Sequence, residues 1–406
     1  MSDTSYDVII IGAGAAGLMC ALTAAQRARS VLVVDHANKA GKKILISGGG
    51  RCNFTNLYAE PSNYLSQNPH FCKSALKRYT QWDFIAMVDK AQLPWHEKKL
   101  GQLFSDEGSK AVLNMLLEEC DNAGARIQLS TAVQHIEQNE QGFALSVQTD
   151  NANTSTLTCN SLVIATGAMS FPTMGATDFG HKVARQFGLS VTDTRPGLVP
   201  FTFDQNEKQQ FADLSGVSVD SYIEVISADK NRNGQGFREN ILFTHKGLSG
   251  PAVLQVSSYW RPGEVIQVCM LPDVDLAQVL KDTQQDNPKK HLHTVLQQHF
   301  PQRVVDCVCK DENLQQPLQQ YKHADLQRIA DRFQKWQFIP SGTEGYKKAE
   351  VTLGGVNTDD ISSKTFEAKN VNGLYFIGEV LDVTGQLGGF NFQWAWASGH
   401  CAGQFV

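Results

Sequence analysis

At 406 residues the chain is longer than one hydrophobic core usually grows, and its formal net charge of −5 excludes a surface given over wholly to binding a polyanion. With 42% hydrophobic, 19% charged and 9% aromatic residues it has apolar material for sizeable cores, which excludes a disordered chain. Nine cysteines, scattered except for Cys307 and Cys309, show no zinc-type spacing, so no metal is expected and a reducing compartment, the cytoplasm, is.

The N-terminal "MSDTSYDVIII" runs straight into a strand pattern, so neither a signal nor a transit peptide is expected. No apolar run approaches the ~18–20 residues that span a bilayer, so no membrane partner is expected. Tyr6–Ile11 is β-branched, Ala15–Ala25 is a small-residue helix pattern and "VLVVD" is a second strand, which together make a βαβ unit. Residues 72–92 and 109–123 carry apolar side chains at three- and four-residue steps and predict helices. "ARIQLSTAV", "GFALSVQTD" and "TLTCNSLVIAT" predict an antiparallel meander that returns to the main sheet.

Composition changes after "TRPGLVPF". "VSVDSYIEVIS", "ENILFTH" and "EVIQVCM" then predict a separate β unit. Residues 274–336 are glutamine-rich, with helical stripes at Leu276, Val279 and Leu280, at Leu292, Val295 and Leu296, and at Leu326, Ile329 and Phe333. "AEVTLGGV" and "NGLYFIGEV" restore strand character, and a last helix starts near Phe390. The expected architecture is α/β: a Rossmann-like nucleotide-binding domain from residues 1–192 and 341–406, interrupted by a β domain at 193–272 and a helical subdomain at 273–340.

"IGAGAAGL" sets Gly12, Gly14 and Gly17 in G-x-G-x-x-G spacing between a strand and a helix. That spacing gives a tight turn, an open approach for a pyrophosphate and close helix–strand packing. Asp35, about twenty residues beyond the turn, suits ribose hydroxyls and disfavours a 2′-phosphate, so FAD or NAD is expected rather than NADP. "LVIATGA" brings Thr166 and Gly167 to a strand end, and "GLYFIGEVLD" brings Gly378, Glu379 and Asp382, which favours FAD. "GQLGGFNFQWA" opens the last helix, whose first amides suit the negative charge of a reduced flavin.

"ISGGGRCNFTN" places Gly48, Gly49 and Gly50 against Arg51, Cys52 and Asn53. Bare backbone beside a cation suits a phosphate, and Arg51 beside Cys52 favours either a thiolate or a bound anion. Cys52 reads equally as a small buried residue packing the loop.

These segments, with "LVPF", "LFTHKGLSGPAVLQVS" and "VTLGGV", resemble the YhiN/BaiN-like flavoproteins over nearly the whole length. The resemblance implies a two-dinucleotide-binding FAD domain split by the two insertions, and reduction of an activated carbon–carbon double bond with NADH or NADPH as transient electron donor. One branch is linked to bile-acid intermediates. The YhiN-type branch, which this sequence favours, is linked to dihydrouridine formation in large-subunit (23S) ribosomal RNA.

Carried over position by position, the resemblance implies cofactor contacts at Gly12, Ala13, Gly14, Ala15, Ala16 and Gly17, at Asp35 and His36, and at Lys42 and Lys43. It implies further contacts at Ser47, Gly48, Gly49, Arg51, Cys52 and Asn53, at Val133, Thr166 and Gly167, at Gly378, Glu379 and Asp382, and at Gly388, Gly389, Phe390, Asn391 and Phe392. In "ATGAMSFPTMGATDFGH", Ala168, Ala176 and Phe179 depart from the family's glycine-rich stretch.

The reaction needs a proton donor beside the flavin. Cys52 and His245 are the candidates, His245 and Lys246 lying on an inserted domain placed to face the substrate. Lys42, Lys43 and Arg51 form one basic cluster. Lys98, Lys99, Arg232, Arg238, Lys347 and Lys348 are further basic points that would serve an RNA groove if they shared a face. Trp394 and Trp396 read as helix packing. The rival readings are a small-molecule ene-reductase or amine oxidase, and a flavin-containing RNA-binding factor without turnover. The oligomeric state is not written in the sequence.

Overall fold

The computed structural model describes residues 4–150, 153–227 and 235–406. It divides into two compact units, Met1–Arg195 with Val351–Val406, and Pro196–Glu350.

The first unit is built on a seven-stranded sheet. Arg126–Gln128, Val31–Val34, Ser5–Ile11, Thr154–Ile164 and Leu374–Phe376 run parallel in that order. The "VLVV" strand is buried throughout, as are Ile9 and Ile10, because helices cover both faces of a parallel sheet. Thr154–Ile164 has a double role. Its first half pairs antiparallel with Gly142–Thr149, which pairs in turn with Thr131–Asn139, giving the meander. Its last three residues pair with Leu374–Phe376 and deliver Thr166 and Gly167 to the carboxyl edge.

Small residues draw the first helix, Ala15–Ala25, onto the last, Phe390–Gly403. A Cβ on Gly399 would stand 2.4 Å from the Ala16 carbonyl oxygen, and one on Gly403 would stand 2.6 Å from Thr23 Cβ. Arg27 ties down the chain end by donating to the carbonyls of Gly403 (2.9 Å) and Val406 (3.0 Å).

Two predicted elements divide. The helix expected over 72–92 is two helices, Cys72–Arg78 and Gln81–Lys90. Tyr79 is extended at φ −138, and Thr80 with Asp83 forms a capping box that starts a new helix. "ARIQLSTAV" breaks at Ser130, where φ is +50, so Arg126–Gln128 joins the parallel sheet and Thr131–Asn139 starts the meander.

The second unit carries its own seven-stranded sheet, in the order Trp336–Phe338, Val265–Met270, Ser218–Ile226, Gly236–Phe243, Gly247–Ser249, Phe201–Thr202 and Gly342–Thr343. The helices Leu276–Asp286, Leu292–Leu296, Gln302–Val308 and His323–Gln334 bury the predicted stripes, Leu276 and Leu280, Val295 and Leu296, and Ile329 and Phe333. They share one core with the strands, because the chain leaves the last helix and re-enters the sheet at Trp336. Among the described residues no helix is long and apolar enough to cross a membrane.

Candidate functional site

The first unit's carboxyl edge is built around the glycine turn. Gly12 takes φ +115, and a Cβ there would stand 2.4 Å from the Ala165 carbonyl oxygen. A Cβ on Gly17 would stand 1.9 Å from the Gly12 oxygen. Space above Gly14 is open, with nothing within 4 Å, and Gly14 is the N-cap of the first helix. Two glycines are thus required by packing and one leaves an uncovered helix N-terminus, the arrangement a pyrophosphate takes.

Asp35 holds this turn. Its carboxylate accepts from Ala13 N–H and from Ala37 N–H, both at 2.8 Å, and each oxygen keeps a lone pair for a ribose hydroxyl. His36 is adjacent, its Nδ1 3.6 Å from Asp35, and a Cβ on Gly175 would stand 2.8 Å from its Nε2. Thr131 N–H bonds the Asp35 carbonyl, which places Val133 two residues along the strand beside it.

Glu379 is the centre of a polar network. Lys43 Nζ donates to its Oε2 at 2.6 Å and to Ser170 Oγ at 2.8 Å, while Ser170 Oγ and Thr352 N–H donate to Oε1 at 2.9 and 3.0 Å. Lys43 is therefore neutralised by Glu379, and the expected cluster of Lys42, Lys43 and Arg51 does not act as one undivided positive charge. Gly167 and Gly378 border the network in the left-handed region, at φ +64 and +73. A Cβ on Gly167 would lie 3.7 Å from Glu379 Oε2. His181, buried one turn into its own helix, has its Nε2 without a hydrogen-bond partner, and burial lowers its pKa.

The glycine loop and the C-terminal motif form one structure. Gly48, Gly49 and Gly50 have φ of +55, +68 and +87, and Gly49 and Gly50 have open space where a side chain would be. Past the loop, Asn56 Nδ2 donates to Gly388 O (2.8 Å), Trp396 Nε1 donates to Phe54 O (2.8 Å) and Thr55 Oγ1 donates to Gln393 (2.7 Å). With its amide turned to satisfy both partners, Asn53 accepts from Gly389 N–H at 3.1 Å. Gly389 can take this place only as glycine, since a Cβ would stand 2.4 Å from the Thr55 oxygen. Asn391 grips the Gly385 backbone on both sides, and Phe390, Asn391 and Phe392 open the last helix behind it.

A phosphate cradle at Gly14, a ribose acceptor at Asp35 and bare backbone at Gly48–Gly50 fit a dinucleotide with a planar head group. The family described as the HI0933-like protein Rossmann domain matches residues 6–405. The chain belongs to this family.

This HI0933-like chain is an FAD-binding, NAD(P)H-linked oxidoreductase. It is similar to the ribosomal RNA dihydrouridine synthase of Escherichia coli K12, at 52% identity over 98% of this chain and 97% of that one. It is also similar to the protein of the same name from Haemophilus influenzae, at 47% identity over 97% of each. A 3-dehydro-bile acid delta(4,6)-reductase of Clostridium scindens is 27% identical over 97% of each chain. Among solved structures, a 3-ketosteroid dehydrogenase of Rhodococcus jostii shares the fold with a TM-score of 0.54 and 14% identity, covering 99% of this HI0933-like chain and 97% of that one.

Several expected site residues land elsewhere. Cys52 is 0% exposed, sits at φ +54, and has its thiol pushed up to about 11 by burial, only partly offset by a hydrogen bond with Ser47. A sulfur enclosed on all sides cannot hand a proton to a substrate in this conformation. Asp382 turns inward to accept from Gln67 N–H (3.0 Å), and burial raises its pKa, so its carboxylate is a structural link. Trp394 and Trp396, by contrast, are buried in helix packing, as the sequence reading expects.

His245 is exposed on the Thr244–Gly247 turn of the second unit, and Lys246 there pairs with Glu344 at 2.7 Å. Arg238 is occupied by Asp220 and Asp273, and Arg232 lies outside the described residues. Ser170, Thr352, Gln393 and His181 escaped the sequence reading, because a lone hydroxyl, amide or imidazole carries no motif until the fold places it.

Proposed function

We propose that this oxidoreductase reduces a uridine of ribosomal RNA to dihydrouridine in the cytoplasm, using electrons from NADH or NADPH. The observation that carries the reading is full-length similarity, 52% identical, to a protein bearing that name. It is supported by the joining of the glycine loop to the C-terminal motif, which builds the flavin side of the site from both chain ends. All nine cysteines are free, in keeping with a reducing compartment.

FAD, when bound, supplies the hydride chemistry between the nicotinamide and the C5–C6 double bond of the base. The chain supplies position and charge. The Gly12–Gly17 turn and the first helix's N-terminus hold the pyrophosphate, Asp35 holds the adenosine ribose, and Lys43 with Glu379 holds the ribityl region. The amides that begin the helix at Phe390 favour negative charge at the pyrimidine edge of the flavin.

The test is anaerobic. NAD(P)H should bleach the bound flavin, and ribosomal RNA from a strain lacking this gene should restore its colour with formation of dihydrouridine. Bleaching with restoration by a small enone but not by RNA would favour the small-molecule enzyme. No bleaching by either nicotinamide would favour a flavin-containing binding protein.

A further inference from the structure

The proposed substrate is a long polyanion, yet the protein is acidic overall. Within the first unit, one small region differs from that average. The hairpin formed by Trp95–Glu97 and Gln102–Ser105 packs beside the glycine loop through Phe104, so closely that a Cβ on Gly48 would stand 2.8 Å from the Phe104 ring. The Arg51 guanidinium and the Lys98 ammonium both lie 5.5 Å from the centre of that ring.

Two like charges gathered around one aromatic ring repel each other, and the ring offsets only part of this. The acids nearby are used internally. Asp106 faces His96 at 2.5 Å, and Glu97 accepts from Gly101 N–H at 3.0 Å. Among the described residues, neither Arg51 nor Lys98 makes an ion pair. With no carboxylate held against either cation, both are suited to an external anion.

An aromatic face stands on the same hairpin. Tyr58 is 63% exposed, and its ring lies against Gly101, where a Cβ would come within 2.6 Å of it. Gly101 is left-handed at φ +75, and Leu57 N–H bonds its carbonyl at 2.9 Å. The ring is thus seated on backbone rather than hanging free. Leu100 beside it is 59% exposed. Exposed aromatic surface within one hairpin of two unpaired cations matches the recognition of single-stranded RNA, in which a base stacks on a ring and the flanking phosphates meet Arg or Lys.

We propose that Tyr58, Lys98 and Arg51 form a platform for the RNA strand flanking the reduced uridine, with Lys98 and Arg51 on phosphates and Tyr58 under a base. This rests on the ribosomal RNA reading and adds to it where the strand is held. Lys98 and Tyr58, unlike Arg51, are not among the residues assigned to FAD, so they are the ones to substitute, with flavin content as the control.

The experiment measures binding of a fluorescent single-stranded RNA to the FAD-loaded protein over a range of salt concentrations. Flavin content and turnover with an artificial electron acceptor are measured alongside and should not change. Lys98→Ala should flatten the slope of log affinity against log salt by about 0.7, one phosphate's share for a single strand, and Lys98→Arg should restore it. Tyr58→Ala should weaken binding about tenfold at every salt concentration, and Tyr58→Phe should not.

Unchanged affinity and slope in both alanine variants would overturn the platform. So would equal binding of a polyglutamate peptide, which has charge but no bases. If ribosomal RNA from a gene-deleted strain kept all its dihydrouridine, the underlying reading would fail instead, whatever the platform variants did.

Discussion

Replacing Cys52 by alanine should leave the enzyme active. The substitution removes one sulfur from a site with no exposed surface and keeps the left-handed backbone at φ +54. Lost packing, the small residual cavity and the lost contact with Ser47 together amount to about 1–2 kcal/mol. For a chain of this size that lowers Tm by about 1–3 °C. Turnover per bound flavin should stay within about twofold, whereas removal of a general acid costs about 10²–10⁴-fold. The assay is steady-state reduction normalised to flavin content, with Tm measured on the same preparation. A fall of a hundredfold or more, with flavin retained and Tm within the stated range, would refute the conclusion that the thiol is enclosed.

The glycine turn separates ligand contact from packing. Gly14→Val meets nothing within 4 Å, so the protein should fold with little change in Tm but emerge without flavin, whereas Gly17→Val, whose Cβ would stand 1.9 Å from the Gly12 oxygen, should cost about 3 kcal/mol or more. Glu379→Gln removes Lys43's charged partner. Since Lys43 is 39% exposed and screened by solvent, stability should fall by no more than about 1 kcal/mol, while flavin affinity measured by equilibrium titration should drop about tenfold.

Stability should also decline at both ends of the pH range. Burial pushes the Cys52, Cys72 and Cys401 thiols up from 9.0 to about 11, so the unfolded chain releases protons first, and Tm should be full below pH 9.0 and fall towards pH 11. Burial lowers His181 and His400, so stability present above about pH 6.5 should be lost as pH falls below it, and His400→Asn should flatten that limb of the Tm profile.

The parts of the site that could be read in the sequence are those whose chemistry is compressed into a few adjacent residues. Gly12, Gly14, Gly17 and Asp35 announce a nucleotide because strand, turn and helix leave few other uses for that spacing. The Rossmann-like FAD domain with inserted β and helical segments was legible for the same reason. Where contacts join distant positions, the sequence was mute. Nothing local in "ISGGGRCNFTN" shows that Asn53, Phe54 and Asn56 bind the backbone and side chains of a segment more than 300 residues later.

Lys43 illustrates the same limit: its charge was evident, but its partner Glu379 was visible only once the short helix Lys42–Ile46 met the turn after the Leu374–Phe376 strand. The direction of Cys52 depends on one backbone angle, which composition does not reveal. Breaks at Thr80 and Ser130 were missed because apolar periodicity continues through them while a capping box and a left-handed residue interrupt the chain.

The central claim, reduction of a uridine in ribosomal RNA, is tested most directly by nucleoside mass spectrometry of ribosomal RNA from the host organism with and without this gene. The expected result is loss of a dihydrouridine from the large-subunit RNA on deletion, restored by the intact gene and by Cys52→Ala but not by Gly14→Val. Dihydrouridine unchanged in the deletion strain would contradict it.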